Sequence, residues 1–314
     1  MKNKKPILIT VIALLIIGFF SIYNSLYIYQ TEAEDNYFNK KLKKVVPLNV
    51  KNYIKDKIFE FKKNKKIYEF KKTKVSNHEL YNNNLSLNIF SFPLLKSTGP
   101  RSYLSYYNQN LFLITGTGII LHSSLNNIKN EKFVFKRIST NFEDIIGVDY
   151  IKQHKTVVKN LLIKNNKIYL SYEKKIKDNC FMNAILVADL KFEELIFNEF
   201  FNINECSPRY SISSGGNLSD YKDNKILMTI GDYESYTILD NDDPQNINSL
   251  FGKIISIDEA NREYKILSMG HRNPQGLYYD KEKDTIYSTE HGPQGGDEIN
   301  VNTSPDVEIK NYGW

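Results

Sequence analysis

The stretch YKILSMGHRNPQGLYYDKEKDTIYSTE, residues 264–290, decides the fold class, because it alternates short apolar runs with turns and loops. YKILSM and GLYYD are rich in the aliphatic and aromatic residues that favour strands, and the glycines and proline of GHRNPQG are typical of a loop between them. In LYYDKEKDTIYSTE a charged turn joins two further β-rich runs as a hairpin. Strands so closely spaced along the chain imply antiparallel β-structure.

The same pattern of short apolar runs and turns begins upstream, at about residue 85. Short apolar runs separated by turn residues recur there as LNIFSF, NLFLITGTGIIL, KFVFKRI, NLLIKNNKIYLSYE, NAILVADL, NKILMTIGD and GKIISID. The Asn-Asn pair in LLIKNNKIYLSYE marks another hairpin. The pattern suits an all-β domain over residues 85–314, either a sandwich or a propeller. A propeller blade takes about 40–45 residues, so this span would hold roughly five blades.

Composition bounds the rest of the chain. The 314 residues are 41% hydrophobic and 25% charged, enough for a sizeable core in one large domain with extras or in two small domains. The net charge of +6 is local, because 14 lysines lie between Lys40 and Lys74. No nucleic-acid-binding motif accompanies them, so we expect no nucleic-acid partner. Residues 31–84 are predicted to form a lysine-rich stem or spacer, either a solvated linker or a basic patch resting on anionic lipid.

Within that stem, residues 48–72 have a rough helical period with much charge between the apolar positions. They are predicted to form a membrane-proximal helix or spacer. A pair of strands is the alternative, because the pattern near IYEF is ambiguous.

The N-terminus carries a membrane signal. After the basic MKNKKP, the run ILITVIALLIIGFFSIY has 17 residues without a charge, and with NSLYIY it is long enough to cross a bilayer. We predict an uncleaved signal anchor over residues 1–30, and a cleaved signal peptide is the alternative. The basic N-terminal end would stay in the cytoplasm. The protein is then a single-pass inner-membrane protein with its bulk in the periplasm.

The two cysteines suit an exported chain. Cys180 and Cys206 both lie in the part expected outside the cytoplasm, where a disulfide is permitted. We expect the bridge, with two unpaired buried thiols as the alternative. Two cysteines without a nearby histidine do not suggest a metal site.

Polar residues gather in two of the predicted loops. In GHRNPQG, Arg272 offers a planar fork for a carboxylate or for the oxygens of an ortho-quinone, and Asn273 adds a donor and an acceptor. In EHGPQGGDE, glycines let backbone carbonyls point into a common space, where they would suit Ca²⁺. Each feature alone is usually a surface arginine or an ordinary turn, and only their conjunction suggests a site.

The segments GHRNPQGL, EHGPQGGDEIN and NYGW, in this order and spacing, resemble the signature of the soluble quinoprotein aldose and glucose dehydrogenases. Those proteins are six-bladed β-propellers that use pyrroloquinoline quinone (PQQ) and calcium. The resemblance is convincing over about 210–314, and ILMTIGD and PQNINSLFGKIISID follow the family pattern more loosely. It implies a six-bladed propeller and hydride transfer from C1 of an aldose to the quinone.

The resemblance also implies individual roles. Arg272 and Asn273 would hold the quinone, with His291 in the same cofactor loop. The carbonyls of Gly292 and Pro293 would ligate the calcium ion that polarises the quinone. Asp297 would support the site by hydrogen bonding and, with Arg272, belong to the catalytic set.

Two departures from the family pattern weaken the enzyme assignment. The family places a catalytic histidine at the start of an H-x-G-G-x-L stretch, and here SSGGNL puts Ser213 at that position. A serine hydroxyl is a poor general base near neutral pH, so its loss would cost about 10²- to 10⁴-fold in rate unless His291 supplies the base. The second departure is that the family continues beyond NYGW, so we expect either a truncated propeller or one that a second chain completes.

Three functions follow from these observations. The favoured one is a membrane-anchored, periplasm-facing, PQQ-dependent aldose dehydrogenase that takes a sugar substrate and feeds electrons to a respiratory acceptor. The alternative is a non-catalytic propeller that binds but no longer oxidises sugars, motivated by Ser213. The third is an anchored scaffold whose lysine-rich stem contacts lipid or another envelope protein.

Overall fold

The structure is a computed structural model that describes residues 66–80, 83–91, 101–129, 132–234 and 242–314. The predicted signal anchor and most of the predicted stem lie outside these ranges. Within them, no helix is both long enough and apolar enough to span a bilayer.

The described residues are predominantly β-structure. Two short helices, α1 (Phe142–Ile146) and α2 (Val148–His154), and two 3₁₀ turns (Leu125–Asn127 and Asp243–Gln245) interrupt it. The strands, numbered along the chain, are β1 (Ile67–Leu80), β2 (Asn83–Ser91), β3 (Ser102–Tyr107), β4 (Asn110–Thr115), β5 (Ile120–Ser124), β6 (Ile128–Lys129), β7 (Lys132–Thr140), β8 (Val158–Lys164), β9 (Lys167–Lys177), β10 (Cys180–Asp189), β11 (Glu194–Leu195), β12 (Asn198–Asn202), β13 (Gly215–Tyr221), β14 (Lys225–Ile230), β15 (Lys253–Asp258), β16 (Tyr264–Met269), β17 (Pro274–Asp280), β18 (Thr285–Glu290), β19 (Glu298–Asn302) and β20 (Lys310–Asn311).

These strands form four sheets in the described part of the chain, each built on an antiparallel meander. Blade A contains β3, β4, β5 and β7, and its sheet is extended by β1 and β2. Blade B contains β8, β9, β10 and β12, and blade C contains β13 to β16 with β20 added at its edge. Blade D contains β17, β18 and β19. Neighbouring blades meet through their first strands, because β3 contacts β8, β8 contacts β13, and β13 contacts β17. This is the arrangement of a β-propeller, with four blades described where six were expected.

Apolar residues fill the spaces between the blades. Between blades B and C, residues such as Phe181, Met228 and Ile255 form one buried cluster. Between blades C and D, Tyr221, Leu267 and Tyr279 belong to a second. Strands β9 and β10 are buried along most of their length, because blade B has a neighbouring blade on each face.

The disulfide is confirmed. Cys180 on β10 and Cys206, shortly after β12, are bonded within blade B. The hairpin in LLIKNNKIYLSYE is also confirmed, with Asn165 and Asn166 in the left-handed region at φ 50° and 56°. That backbone is the one a two-residue hairpin turn requires, and asparagine tolerates it.

At the C-terminal end of the predicted stem, the structure has the strand alternative and not the helix. Residues from Ile67 to Lys71 form strand rather than helix and pair antiparallel with β7 of blade A. Tyr68 and Phe70 are buried while Ile67 and Glu69 are exposed, a period of two that charged residues on both sides obscured in the sequence.

The meander places several loops at one end of the blades. Connections in a meander alternate between the two ends of a sheet, so the second-to-third-strand loops lie at the same end as the loops that lead into the next blade. The described segments 203–214, 231–234, 242–252, 270–273 and 291–297 therefore share one end, which we call the loop face.

Candidate active site

Backbone hydrogen bonds bring the segments of the loop face together. Asp232 N–H donates to the Arg272 carbonyl at 2.7 Å, and Gly231 N–H donates to the Ser214 carbonyl at 2.9 Å. Trp314 N–H donates to the Gly270 carbonyl at 3.0 Å. Residues far apart in the sequence thus meet at one place because three loops and the segment ending at Trp314 are tied to one another.

Gly231 is required for this meeting. A Cβ at this position would lie 2.0 Å from the carbonyl oxygen of Ser213. Only glycine allows so close an approach of two backbone segments. The Gly-Asp pair after β14 therefore sets Asp232 directly beside the segment that carries Ser213.

Asp232 is a buried carboxyl group of the loop face, with 1% of its surface exposed. One carboxyl oxygen, Oδ1, accepts the Glu234 N–H at 2.8 Å, and the other, Oδ2, accepts the indole Nε1–H of Trp314 at 2.9 Å. Burial raises the pKa of Asp232 from 3.8 to about 6, while these hydrogen bonds and the charge of Arg272 oppose the rise. The group is therefore ionised at neutral pH and close to its titration range.

Arg272 lies beside Asp232 on the loop face. Its guanidinium carbon is 5.4 Å from the centre of the Trp314 ring, within the range of a cation–π contact. Nη1 donates to the carbonyls of His291 at 2.9 Å and Gly292 at 3.3 Å. Among the described residues the rest of the guanidinium has no hydrogen-bond partner. A partly exposed guanidinium with donors to spare fits an anionic ligand or the oxygens of an ortho-quinone.

A buried polar cluster of Ser268, His271, Glu290 and Asn300 holds the loop that carries Arg272. His271 is fully buried, with Nε2 at 2.7 Å from Ser268 Oγ and Nδ1 at 3.0 Å from Glu290 Oε1. Glu290 also accepts the Arg272 N–H at 2.7 Å and the Asn300 amide at 2.5 Å. Both ring nitrogens of His271 are thus engaged in the core, so this histidine positions the loop and does not face a substrate.

Asn273, predicted to hold the quinone, lies in the wall of the site. It is 5% exposed, and its side-chain oxygen accepts a hydrogen bond from Gln275 Nε2 at 3.2 Å. Its main-chain carbonyl accepts the His291 N–H at 3.2 Å. The structure therefore gives Asn273 a part in joining the two loops.

His291 and Asp297 lie in a cleft of about 260 Å³ on blade D, lined by Gln275, Thr289, Glu290, His291, Asp297, Glu298 and Ile299. His291 Nδ1 is 3.6 Å from Asp297 Oδ1, and both side chains are largely exposed. Asp297 Oδ1 also accepts the Gly292 N–H at 3.1 Å, which shapes the glycine-rich loop. The carboxylates lining this cleft would repel an anionic cofactor. Arg272, which does not line this cleft, is the better place for one.

The carbonyls of Gly292 and Pro293 do not have the arrangement expected of calcium ligands. The Gly292 oxygen accepts from the Arg272 guanidinium, and the Pro293 oxygen accepts the Gly296 N–H at 3.0 Å. In the described ranges, no group of three or more His, Cys, Asp or Glu residues could hold a metal ion. Calcium needs six to eight oxygen ligands, and a neighbouring guanidinium repels it. The residues as placed do not fit calcium, which takes no part in the function proposed below.

Ser213 is buried in the segment before β13, at 5% exposure. Its N–H donates to Ser211 Oγ at 2.9 Å, and its carbonyl accepts the Tyr233 N–H at 3.3 Å. The segment rests on a buried ion pair, Lys159 to Glu173 at 2.8 Å. Burial lowers the pKa of Lys159 and raises the pKa of Glu173, while the attraction between the two opposes both shifts. Serine thus occupies a rigidly supported position beside Asp232.

Sequence reasoning gave no role to Asp232 or Trp314, although it noted the Gly-Asp and NYGW segments. The available signal was positional. Asp232 comes just after the apolar run ILMTI, so it must lie at the end of a strand. The segment EHG has the same position after DTIYST. The long sequence separation between residues 232, 272 and 314 hid their proximity.

Comparison with known proteins agrees with the sequence resemblance. Residues 156–314 match the model of the family described as Glucose / Sorbosone dehydrogenase, a span of just over half the chain. The aldose sugar dehydrogenase YliI of Escherichia coli is 27% identical over 166 residues, which cover 48% of this chain and 42% of that protein. An uncharacterized protein of Synechocystis sp. is 36% identical over 118 residues, 32% of this chain and 28% of that protein.

Similar solved structures include the apo-form of the soluble aldose sugar dehydrogenase of E. coli. It has a TM-score of 0.47 and 18% identity, over 63% of this chain and 59% of that one. The chain spans less than half the length of the two curated relatives.

Proposed function

Because the chain belongs to the glucose/sorbosone dehydrogenase family, we propose that it oxidises an aldose sugar at C1 and passes the hydride to PQQ. The observation that carries the proposal is Arg272, a partly exposed guanidinium stacked on Trp314 with unused donors. It lies in the GHRNPQG segment that carries the family resemblance.

PQQ, when bound, would supply a two-electron hydride acceptor. Arg272 would bind its quinone or carboxylate oxygens through the free part of the guanidinium. The buried Glu290 fixes the Arg272 backbone through the 2.7 Å hydrogen bond, and Nη1 is held by two carbonyls. The arginine is thereby held in place before a ligand arrives, which reduces the entropy cost of binding.

The second candidate function is sugar binding without oxidation. Ser213 favours it, because this side chain occupies the family's histidine position and lacks a suitable base. This candidate predicts that the protein binds quinone, sugar or both, and that a bound quinone stays oxidised when an aldose is added.

We also propose that the protein acts outside the cytoplasm, anchored in the inner membrane by residues 1–30, and passes electrons to a respiratory acceptor. The Cys180–Cys206 disulfide supports an oxidising compartment. The apolar N-terminal run supports the anchor.

The test is a PQQ titration of the detergent-solubilised full chain, with and without calcium, followed by aldose-dependent reduction of a dye. Trp314 is the only tryptophan in the sequence, so its fluorescence reports directly on the site. We expect saturable quenching and sugar-dependent turnover. Arg272→Ala should weaken quinone binding by at least tenfold, because a charge-assisted contact is worth about 1.5–3 kcal/mol.

Arg262→Ala is the matched control. Arg262 stacks over Phe200 at 6.0 Å, in the turn between β15 and β16 at the opposite end of blade C. Its removal should leave the titration unchanged. Absence of quinone binding in the folded wild-type chain would refute the proposed function, and binding without sugar oxidation would favour the second candidate.

A further inference from the structure

Asp232 is a buried carboxyl group of the loop face that the proposed function has not yet used. We propose that Asp232 is the general base of this site and takes the proton of the sugar's C1 hydroxyl in place of the histidine that Ser213 replaces. The inference rests on the proposed function and specifies its proton-transfer residue.

Position is the first argument. The main-chain N–H groups of Gly231 and Tyr233 donate to the carbonyls of Ser214 and Ser213. The main-chain N–H of Asp232, between them, donates to the Arg272 carbonyl. Asp232 therefore lies between the segment where the family carries its base and the arginine that would hold the hydride acceptor. A base must reach the hydroxyl whose carbon gives up the hydride, so it has to lie between these two elements.

Elimination among the described residues is the second argument. Both ring nitrogens of His271 are engaged with Ser268 and Glu290, and the residue is fully buried. Glu290 already accepts three donors from His271, Arg272 and Asn300. His291 lies in the cleft of blade D with Asp297. Asp232, by contrast, adjoins Arg272 through its own main-chain N–H, and its carboxylate accepts two donors.

The Asp232 carboxylate also has hydrogen-bonding capacity that its protein partners do not use. Each oxygen accepts one hydrogen bond, Oδ1 from the Glu234 N–H and Oδ2 from the Trp314 indole. A carboxylate has about four lone-pair sites, so each oxygen retains one. On Oδ2 the donor is the indole N–H of Trp314, a residue whose main chain is bonded to Gly270 of the loop face. It marks the position that the sugar hydroxyl takes when the indole gives way.

The proposed step balances in atoms and electrons. The O–H bond of the C1 hydroxyl breaks, and its proton goes to Asp232 Oδ2. The C1–H bond breaks, its electron pair leaves with the hydrogen to the ortho-quinone acceptor, and C1 becomes a carbonyl carbon. The sugar is oxidised by two electrons and the acceptor is reduced by two.

The electrostatic surroundings suit a base. Two charged groups act on Asp232: Arg272, from the loop before β17, lowers its pKa, and Glu234, from its own loop, raises it. Its pKa of about 6 makes it ionised at pH 7 and a stronger base than an ordinary aspartate.

The experiment compares Asp232→Asn with Ser213→Ala in the full chain loaded with PQQ. Asparagine keeps an acceptor oxygen but cannot take the proton. We expect Asp232→Asn to lower kcat by about 10²- to 10⁴-fold, the usual contribution of a general base. The quinone dissociation constant, measured by Trp314 fluorescence, should change less than threefold. Ser213→Ala should leave kcat within threefold.

Two further measurements separate a base from a merely structural residue. The wild-type kcat should fall tenfold per pH unit below about pH 6, and Trp314 fluorescence should titrate over the same range in the wild type but not in Asp232→Asn. The double variant S213H/D232N should recover activity at least tenfold over D232N, because histidine is restored at the neighbouring position.

Several results would overturn the proposal. D232N turning over within threefold of wild type would do so, as would a wild-type rate that stays flat down to pH 4. No recovery in S213H/D232N, with quinone binding intact, counts against it as well. Absence of sugar oxidation by the wild type would remove the proposed function and this inference together, whereas an active D232N removes the inference alone.

Discussion

At the scale of single residues, the site depends on polar groups taken out of water. Asp232 is held at 1% exposure by Gly231 on one side and the Trp314 indole on the other. Two hydrogen bonds and a neighbouring arginine do not fully compensate its desolvation, so its pKa stays above the ordinary value. The residue is kept in a reactive state at a cost in stability, as is common at functional sites.

This cost predicts that the difference in free energy of unfolding between the wild type and Asp232→Asn depends on pH. A carboxyl whose folded-state pKa is raised from 3.8 to about 6 contributes stability at pH values below about 4 and loses it as the pH rises through about 6. Relative to the wild type, D232N should therefore gain about 2 kcal/mol in free energy of unfolding between pH 4 and pH 7. Urea unfolding at both pH values measures it, and an unchanged difference would contradict the raised pKa.

At the scale of elements, the segment that carries Ser213 is supported by a buried ion pair. Lys159 on β8 and Glu173 on β9 are both essentially inaccessible, and Glu173 also accepts Ser211 N–H at 3.0 Å and Ser214 Oγ–H at 3.3 Å. Lys159 donates to the Ser211 carbonyl at 3.3 Å. The first two strands of blade B thus fix the loop that leads into blade C.

Removing one charge of this ion pair should destabilise the protein more than removing both charges. Lys159→Met leaves the Glu173 carboxylate buried without its partner and should cost about 3–5 kcal/mol. The double variant K159M/E173Q removes both charges, while the glutamine oxygen still accepts Ser211 N–H. Its loss in free energy of unfolding should be less than half that of K159M. Urea unfolding of both variants measures these losses. A double variant no more stable than K159M would show that charge compensation is not what stabilises the segment.

Local sequence patterns predicted most of the strands and hairpins but not how the site is assembled. The apolar runs from residue 85 onward become strands, and the family resemblance is confirmed over 156–314. The helices α1 and α2, in NFEDIIGVDYIKQH, were not predicted because each is too short to show a helical period. The contact of Asp232 with Arg272 and Trp314 depends on tertiary packing that no local window contains.

At the scale of the molecule, the described blades stand in a row, and each buries one face against the next. The outer faces of blades A and D, which have no described blade beside them, carry exposed apolar side chains. On blade A, Leu104 is 62% exposed and Tyr106 is 55% exposed. On blade D, Tyr278 and Ile299 are 62% and 75% exposed. Apolar surface of this kind drives association.

The isolated chain should therefore self-associate through these faces. Replacing Tyr278 and Ile299 together with serine should raise the dissociation constant of the association at least tenfold, measured by light scattering over a concentration series. Tyr264→Ser is the control, because this tyrosine is 51% exposed on β16, away from the end faces. A wild type that stays monomeric throughout, or a double variant that associates as strongly as the wild type, would contradict the expectation.

The central claim is that this chain oxidises a sugar with a quinone held beside Arg272. The most direct measurement is a single turnover under anaerobic conditions, with protein in excess over PQQ and a panel of aldoses added by rapid mixing. The account predicts first-order loss of oxidised-quinone absorbance with at least one aldose, slowed at least 100-fold in D232N. A quinone that binds in an Arg272-dependent way but stays oxidised with every aldose would contradict it.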